Sequence, residues 1–196
     1  MGFLLRLSGL IDGLNERIGK TIYWLILAAV LVSSGNATVR YIFSNSSNAW
    51  LELQWYLFSA IFLLGAGYTL LRNEHVRIDV VAGRLSPRGQ AWIDLFGTIF
   101  FLLPMAVMIA SLSWPYFTIA WINNEGSGSA GGLILWPARI LIPIGFTLLT
   151  LQGISELVKR VAFLAGKGPD PVQRHDPGEA ERALAEELRK LAEAKT

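Results

Sequence analysis

Two histidines, His75 and His175, are the only side chains in this chain that ordinarily change charge near neutral pH, and they lie in different segments. Beside the first, Glu74, His75 and Asp79 crowd two carboxylates and an imidazole into one short stretch. Such a trio has the groups for acid–base or metal chemistry, but its spacing matches no recognised ligand pattern. The chain has no cysteine, which excludes disulfides, thiolate metal sites and a cysteine nucleophile. It carries no phosphate-binding loop, serine elbow or dinucleotide fingerprint. The run Gly126-Ser127-Gly128-Ser129-Ala130-Gly131-Gly132 is glycine-rich, but no lysine adjoins it, and a flexible loop is expected there. No metal or cofactor is expected.

The remaining polar groups stand singly in long apolar runs. Arg40 and Glu52 fall at similar depth if their runs pair as a hairpin, which allows an ion pair between them or contact with lipid headgroups. Asn36, Gln54 and Gln152 are expected to hydrogen-bond between helices. Asp94 suits a helix N-terminus, Glu156 is expected among headgroups, and Arg139 just inside the end of its helix. Charges within membrane spans are costly and mark ion or proton paths where they form chains. No such chain crosses these runs, which disfavours a pore or pump built by this chain alone.

The elements that hold these residues follow from composition. The sequence is 53% hydrophobic and only 16% charged, whereas soluble domains carry about a quarter charged residues. The apolar excess sits in four blocks, the pattern of membrane spans. Their expected limits are about 21–43, 50–71, 91–117 and 133–158. The first would reach roughly 35 Å, enough for a hydrocarbon core of about 30 Å. Tyr23, Trp24, Tyr41, Trp50, Trp92, Tyr116, Trp121 and Trp136 fall near span ends, as interfacial aromatics do.

Lysine and arginine set the expected orientation. Arg6, Arg17 and Lys20 precede the first span; Arg72, Arg77, Arg84 and Arg88 lie between the second and third; Lys159, Arg160 and Lys167 follow the fourth. Segments 44–49 and 118–132 contain neither residue type. The positive-inside rule then places both termini and the middle loop in the cytoplasm. No basic, aromatic-rich surface suggests nucleic-acid binding.

Residues 1–20 carry Phe3, Leu7, Leu10, Ile11, Leu14 and Ile18 at helical spacing, with Arg6, Asp12, Glu16 and Arg17 largely elsewhere on the wheel. An amphipathic helix lying in the cytoplasmic interface is expected. The basic residues, the apolar run after them and Ser33-Ser34-Gly35-Asn36-Ala37 resemble a cleavable signal peptide; the segment is expected to be retained as an anchor. Met1-Gly2 does not continue into a myristoylation motif, since position 6 is arginine. Residues 161–178 read as a linker and 179–196 as a soluble helical tail, with Asp176-Pro177 as a helix start.

One stretch is more specific. Trp50-Leu51-Glu52, Tyr56-Leu57-Phe58 and Phe62-Leu63-Leu64-Gly65-Ala66-Gly67-Tyr68 lead into Arg72-Asn73-Glu74-His75-Val76-Arg77-Ile78-Asp79-Val80. Over roughly residues 20 to 160 the chain resembles the small membrane subunit, DctQ-type or Q, of tripartite ATP-independent periplasmic (TRAP) transporters. Arg40 at the end of the first span fits the same pattern. The outer loop from Glu125 to Pro137 and Leu151-Gln152-Gly153 look like a longer subgroup, associated with organic acids such as 2-oxo acids or with mannitol and chloroaromatic-type compounds. The resemblance implies a periplasmic substrate-binding protein that delivers a carboxylate, and a large multi-span M subunit that holds the substrate and sodium sites. The small subunit would widen the scaffold against which M moves. Arg40, Trp50, Glu52, His75, Arg77 and Asp79 would then be subunit or lipid interface residues with no catalytic role. Two other readings stay open. A self-sufficient channel or transporter acting as a homo-oligomer would give flux from the purified chain in liposomes. A membrane enzyme using Glu74, His75 and Asp79 would lose a metal or an activity on changing His75.

Overall fold

A computed structural model describes residues 2–44, 47–73 and 86–168. These are helical almost throughout, and the sole strand-like pairing among them is one antiparallel bridge between Gly126 and Ile134. Helix α1 spans Gly2–Phe43, α2 Asn48–Leu71 and α3 Pro87–Gly97. A π-helical turn, Thr98–Leu102, joins α3 to α4, Leu103–Ile122. The short α5, Trp136–Arg139, then leads into α6, Leu141–Leu164. Among the described residues four stretches are long and apolar enough to cross a membrane: Gly2–Phe43, Asn48–Leu71, Pro87–Ile122 and Trp136–Leu164.

Local chemistry explains the breaks. Ser86 opens α3 by accepting the Gly89 N–H on its hydroxyl, and Pro87 takes the first helical position, where a missing N–H costs nothing. Pro104 has no N–H to donate to the carbonyl four residues back, and its ring crowds that carbonyl. The ladder there slips to the wider spacing, with the Leu103 N–H donating to the Thr98 carbonyl five residues back. Helices α2, α4 and α6 each end on a residue in the left-handed region: Asn73, Asn124 and Gly166. At the last of these, the N–H groups of Gly166 and Lys167 return to the Phe163 and Ala162 carbonyls.

Helix α1 is 42 residues long, about 63 Å at 1.5 Å per residue and roughly twice a hydrocarbon core. The segment expected as a separate helix over 1–20 is therefore the first half of one rod, with no break before Thr21. Helix α6 packs against α1, α2 and α4 and is the staff of the bundle. It is 44% buried along its apolar window, against 11% or less for the other three spans.

The distribution of side-chain size is the reverse of a soluble core. The buried apolar residues are chiefly Ala29, Ala91, Ala106, Ala120 and Ala162, whereas Trp24, Phe62, Phe101 and Leu112 are exposed. Small residues let helix backbones approach where no water drives them together, and large apolar residues face lipid. Glycine does the same at the tightest crossings. A Cβ on Gly145 would stand 2.6 Å from the Leu63 carbonyl oxygen, and one on Gly67 would stand 2.3 Å from Asn15 Oδ1. The chain is an all-α integral membrane protein with four long apolar helical stretches.

Candidate functional site

Two polar constructions occupy opposite ends of this bundle. One is built on the first turns of α2. Asn48, Glu52 and Tyr56 are spaced four apart, so they fall on one face of the helix, and that face holds the loop 125–135. The Asn48 amide donates to the Ala130 carbonyl at 2.9 Å and the Tyr56 hydroxyl to the Ile134 carbonyl at 2.8 Å. Between them Glu52 accepts the Leu133 N–H at 2.6 Å on one oxygen and the Ser127 hydroxyl on the other. The loop closes on itself through Ser127 N–H to the Leu133 carbonyl, 2.9 Å, and Leu135 N–H to the Glu125 carbonyl, 2.9 Å.

Its base is clamped by charge. The Arg139 guanidinium donates to both oxygens of Glu125, at 2.6 and 2.7 Å, and lies over the Tyr116 ring at 4.0 Å from its centroid. Trp121 and Trp136 meet edge to face beside it, with centroids 4.6 Å apart. The glycine-rich run expected to be flexible is thus a folded cap around a carboxylate. The ion pair considered between Glu52 and Arg40 does not form, because Glu52 faces the loop. Arg40, in the last turn of α1, is exposed and has no ion-pair partner among the described residues. Trp50 is half-exposed and lies across from α1 on the other side of α2.

The second construction is a seam between the start of α1 and the end of α6. Ser8, Asp12 and Asn15 on α1 meet Gln152, Ser155 and Lys159 on α6. The Ser8 and Ser155 hydroxyls are 2.6 Å apart, Asn15 Nδ2 donates to Gln152 Oε1 at 2.9 Å, and Gln152 Nε2 donates to Asp12 at 3.0 Å. Asp12 also accepts from Ser155 at 2.7 Å and from Lys159 at 3.1 Å. Lys159 bonds Glu156 in turn, and Arg160 bonds Asp94 of α3 while lying 3.9 Å from Glu156. Arg72, at the end of α2, reaches Glu16 of α1 at 3.3 Å. All four apolar stretches are tied together at this end.

Gln152 bonds between helices as expected, while Glu156, expected at headgroups, is buried in the seam at 6% exposure. The cost of burying it is offset by two cations and an amide. The partners Asp12, Ser155, Arg160, Glu125 and Ser127 were not singled out from sequence as members of these clusters. A signal was present in the polar spacings 8, 12, 15 on α1, 48, 52, 56 on α2 and 152, 155, 159 on α6, each one stripe of a helix. Among the candidate residues, His75, Arg77 and Asp79, with Glu74, lie outside the described residues. No group of three metal-binding side chains occurs among those that are described.

Between the two constructions residues 21–39, 53–71, 95–124 and 140–155 contain no aspartate, glutamate, lysine, arginine or histidine. The geometry of the two constructions holds helices together at one end and a surface loop in place at the other.

Comparison with known proteins agrees with that architecture. Residues 29–163 match the family model for tripartite ATP-independent periplasmic transporters, DctQ component. A Haemophilus influenzae protein designated a TRAP transporter small permease protein is 33% identical over 142 residues, covering 71% of this chain and 84% of the relative. No solved structure matches the chain significantly. With the matched region spanning the last part of α1 through nearly all of α6, the chain belongs to the DctQ components of TRAP transporters, as a small permease subunit of the membrane complex.

Proposed function

We propose that this small permease subunit is a non-catalytic scaffold for a large multi-span M subunit, in sodium-coupled uptake of an organic acid delivered by a periplasmic binding protein. The observation that carries the reading is the ion-free middle of the bundle between two tied ends. A body fastened at both ends and lacking charged groups between them suits a fixed wall and not a conduit. Its exposed Trp, Phe and Leu side chains supply the apolar surface that a membrane partner or lipid would cover.

The subunit sits in the inner membrane with both termini and the middle loop in the cytoplasm, as the lysine and arginine distribution supports. The caged loop 125–135 then faces the periplasm and offers a pre-ordered surface to the binding protein. Arg40, Trp50 and Glu52 lie at that end, and His75, Arg77 and Asp79 in the cytoplasmic loop, as subunit or lipid contacts.

Affinity capture of the tagged chain from native membranes in mild detergent tests the reading. A stoichiometric multi-span protein about twice this size or larger, with sodium-dependent carboxylate flux only when both are reconstituted with the binding protein, is the expected outcome. A monodisperse chain recovered alone, or flux from the chain alone, overturns it.

A further inference from the structure

The outer halves of α1 and α2 do not close on one another. Leu31, Gly35, Asn36 and Val39 of α1 face Ser47 and Trp50 across a groove of about 410 Å³. The walls are mostly apolar, and Asn36 and Ser47 are the polar residues among them. The groove runs along about 12 Å of helix and stops one residue short of Arg40, which lies one turn beyond Asn36. Arg40 is the single lysine or arginine between residues 21 and 71.

The other arginine at this end, Arg139, spends its charge on Glu125, and Glu52 is turned to the loop. Arg40, with no ion-pair partner among the described residues, therefore follows directly on Val39, the last groove residue of α1, and the groove itself is lined by Trp50, an indole of the kind that settles at the headgroup level. We propose that this groove is a binding site for one anionic phospholipid. Its acyl chain lies between α1 and Trp50, and its phosphate takes charge-assisted hydrogen bonds from Arg40, with Asn36 and Ser47 available to the glycerol ester oxygens. The negative headgroup neutralises the one unpaired charge at this end, which a zwitterionic lipid does less well.

Native mass spectrometry of the full chain, offered phosphatidylglycerol and phosphatidylcholine with matched acyl chains, reads the site directly. Wild type is expected to retain phosphatidylglycerol roughly fivefold over phosphatidylcholine, the scale of one arginine near a headgroup. Arg40→Ala brings the ratio near one, and Arg40→Lys keeps most of it. Gly35→Leu tests the slot separately. A Cβ at Gly35 meets nothing within 4 Å and Gly35 lines the groove, so the leucine is expected to occupy the groove and lower retention of both lipids, with an unchanged melting point checking that the fold is kept. Added inorganic phosphate leaves retention unchanged. The proposal is overturned if wild type shows no preference, if free phosphate displaces the lipid, or if a photocrosslinker at Val39 in native membranes captures a protein in place of phospholipid.

Discussion

Arg160 and Lys20 make ion pairs of the same formal kind with opposite consequences. The Arg160 side chain is 5% exposed and bonds Asp94, with Glu156 at 3.9 Å. Truncating it leaves two carboxylates in the seam with one cation fewer, and Arg160→Ala should cost about 3–5 kcal/mol, as breaking a buried pair does. Lys20 is 67% exposed against Glu16, and Lys20→Ala should change stability by less than about 0.5 kcal/mol. Thermal melting of the two variants in the same detergent distinguishes them, and equal melting points would mean the seam is wet and weak. Glycines divide by the same logic. Gly145→Ala drives a methyl into the Leu63 backbone, 2.6 Å from its oxygen and 2.9 Å from its carbonyl carbon, where no side chain can move aside. A loss of about 1–3 kcal/mol is expected, while Gly35→Ala, with open space around it, should melt like wild type.

The elements were legible in proportion to how local their causes are. Four apolar blocks follow from the thickness of a bilayer, and each falls on one long apolar helical stretch, although the first stretch begins at Gly2, well before the expected limit at 21. The continuity of α1 was not legible, because the stripe of Phe3, Leu7, Leu10 and Leu14 reads as a face seeking burial. In the structure those side chains are exposed and the small polar Ser8 and Asn15 are buried. Whether an amphipathic helix packs by its apolar or its polar face depends on its neighbour, and α6 offers serine, glutamine and lysine there. The loop 125–135 failed for the same reason, since Glu52 lies 75 positions from Ser127. Removing that distant anchor should free the loop and spare the helix. In Glu52→Ala, amide exchange at Leu133 is expected to speed by roughly 10- to 100-fold, the worth of one hydrogen bond to a charged acceptor. Exchange along Phe58–Leu71 should hold. Exchange unchanged at Leu133 would show that the Arg139–Glu125 clamp alone keeps the cap closed.

At the scale of the whole molecule, the two tied ends differ in charge as well as in architecture. Arg72, Lys159, Arg160 and Lys167 gather at the end where α1 begins and α6 finishes, while the loop end holds Arg40 and Arg139 with Glu52 and Glu125. Insertion keeps the lysine- and arginine-rich side in the cytoplasm, so the seam should lie inside and the cap outside. The absence of native cysteine makes this testable without background. Ser129 in the cap and Lys167 after α6 are both exposed, and neither Ser129→Cys nor Lys167→Cys disturbs the seam. An impermeant maleimide added to intact cells with a permeable outer membrane should label position 129 at once and position 167 only after the inner membrane is opened. The reverse pattern would put the cap in the cytoplasm, out of reach of a periplasmic protein. That would remove the cap from the delivery step while leaving the scaffold contact with a membrane partner intact.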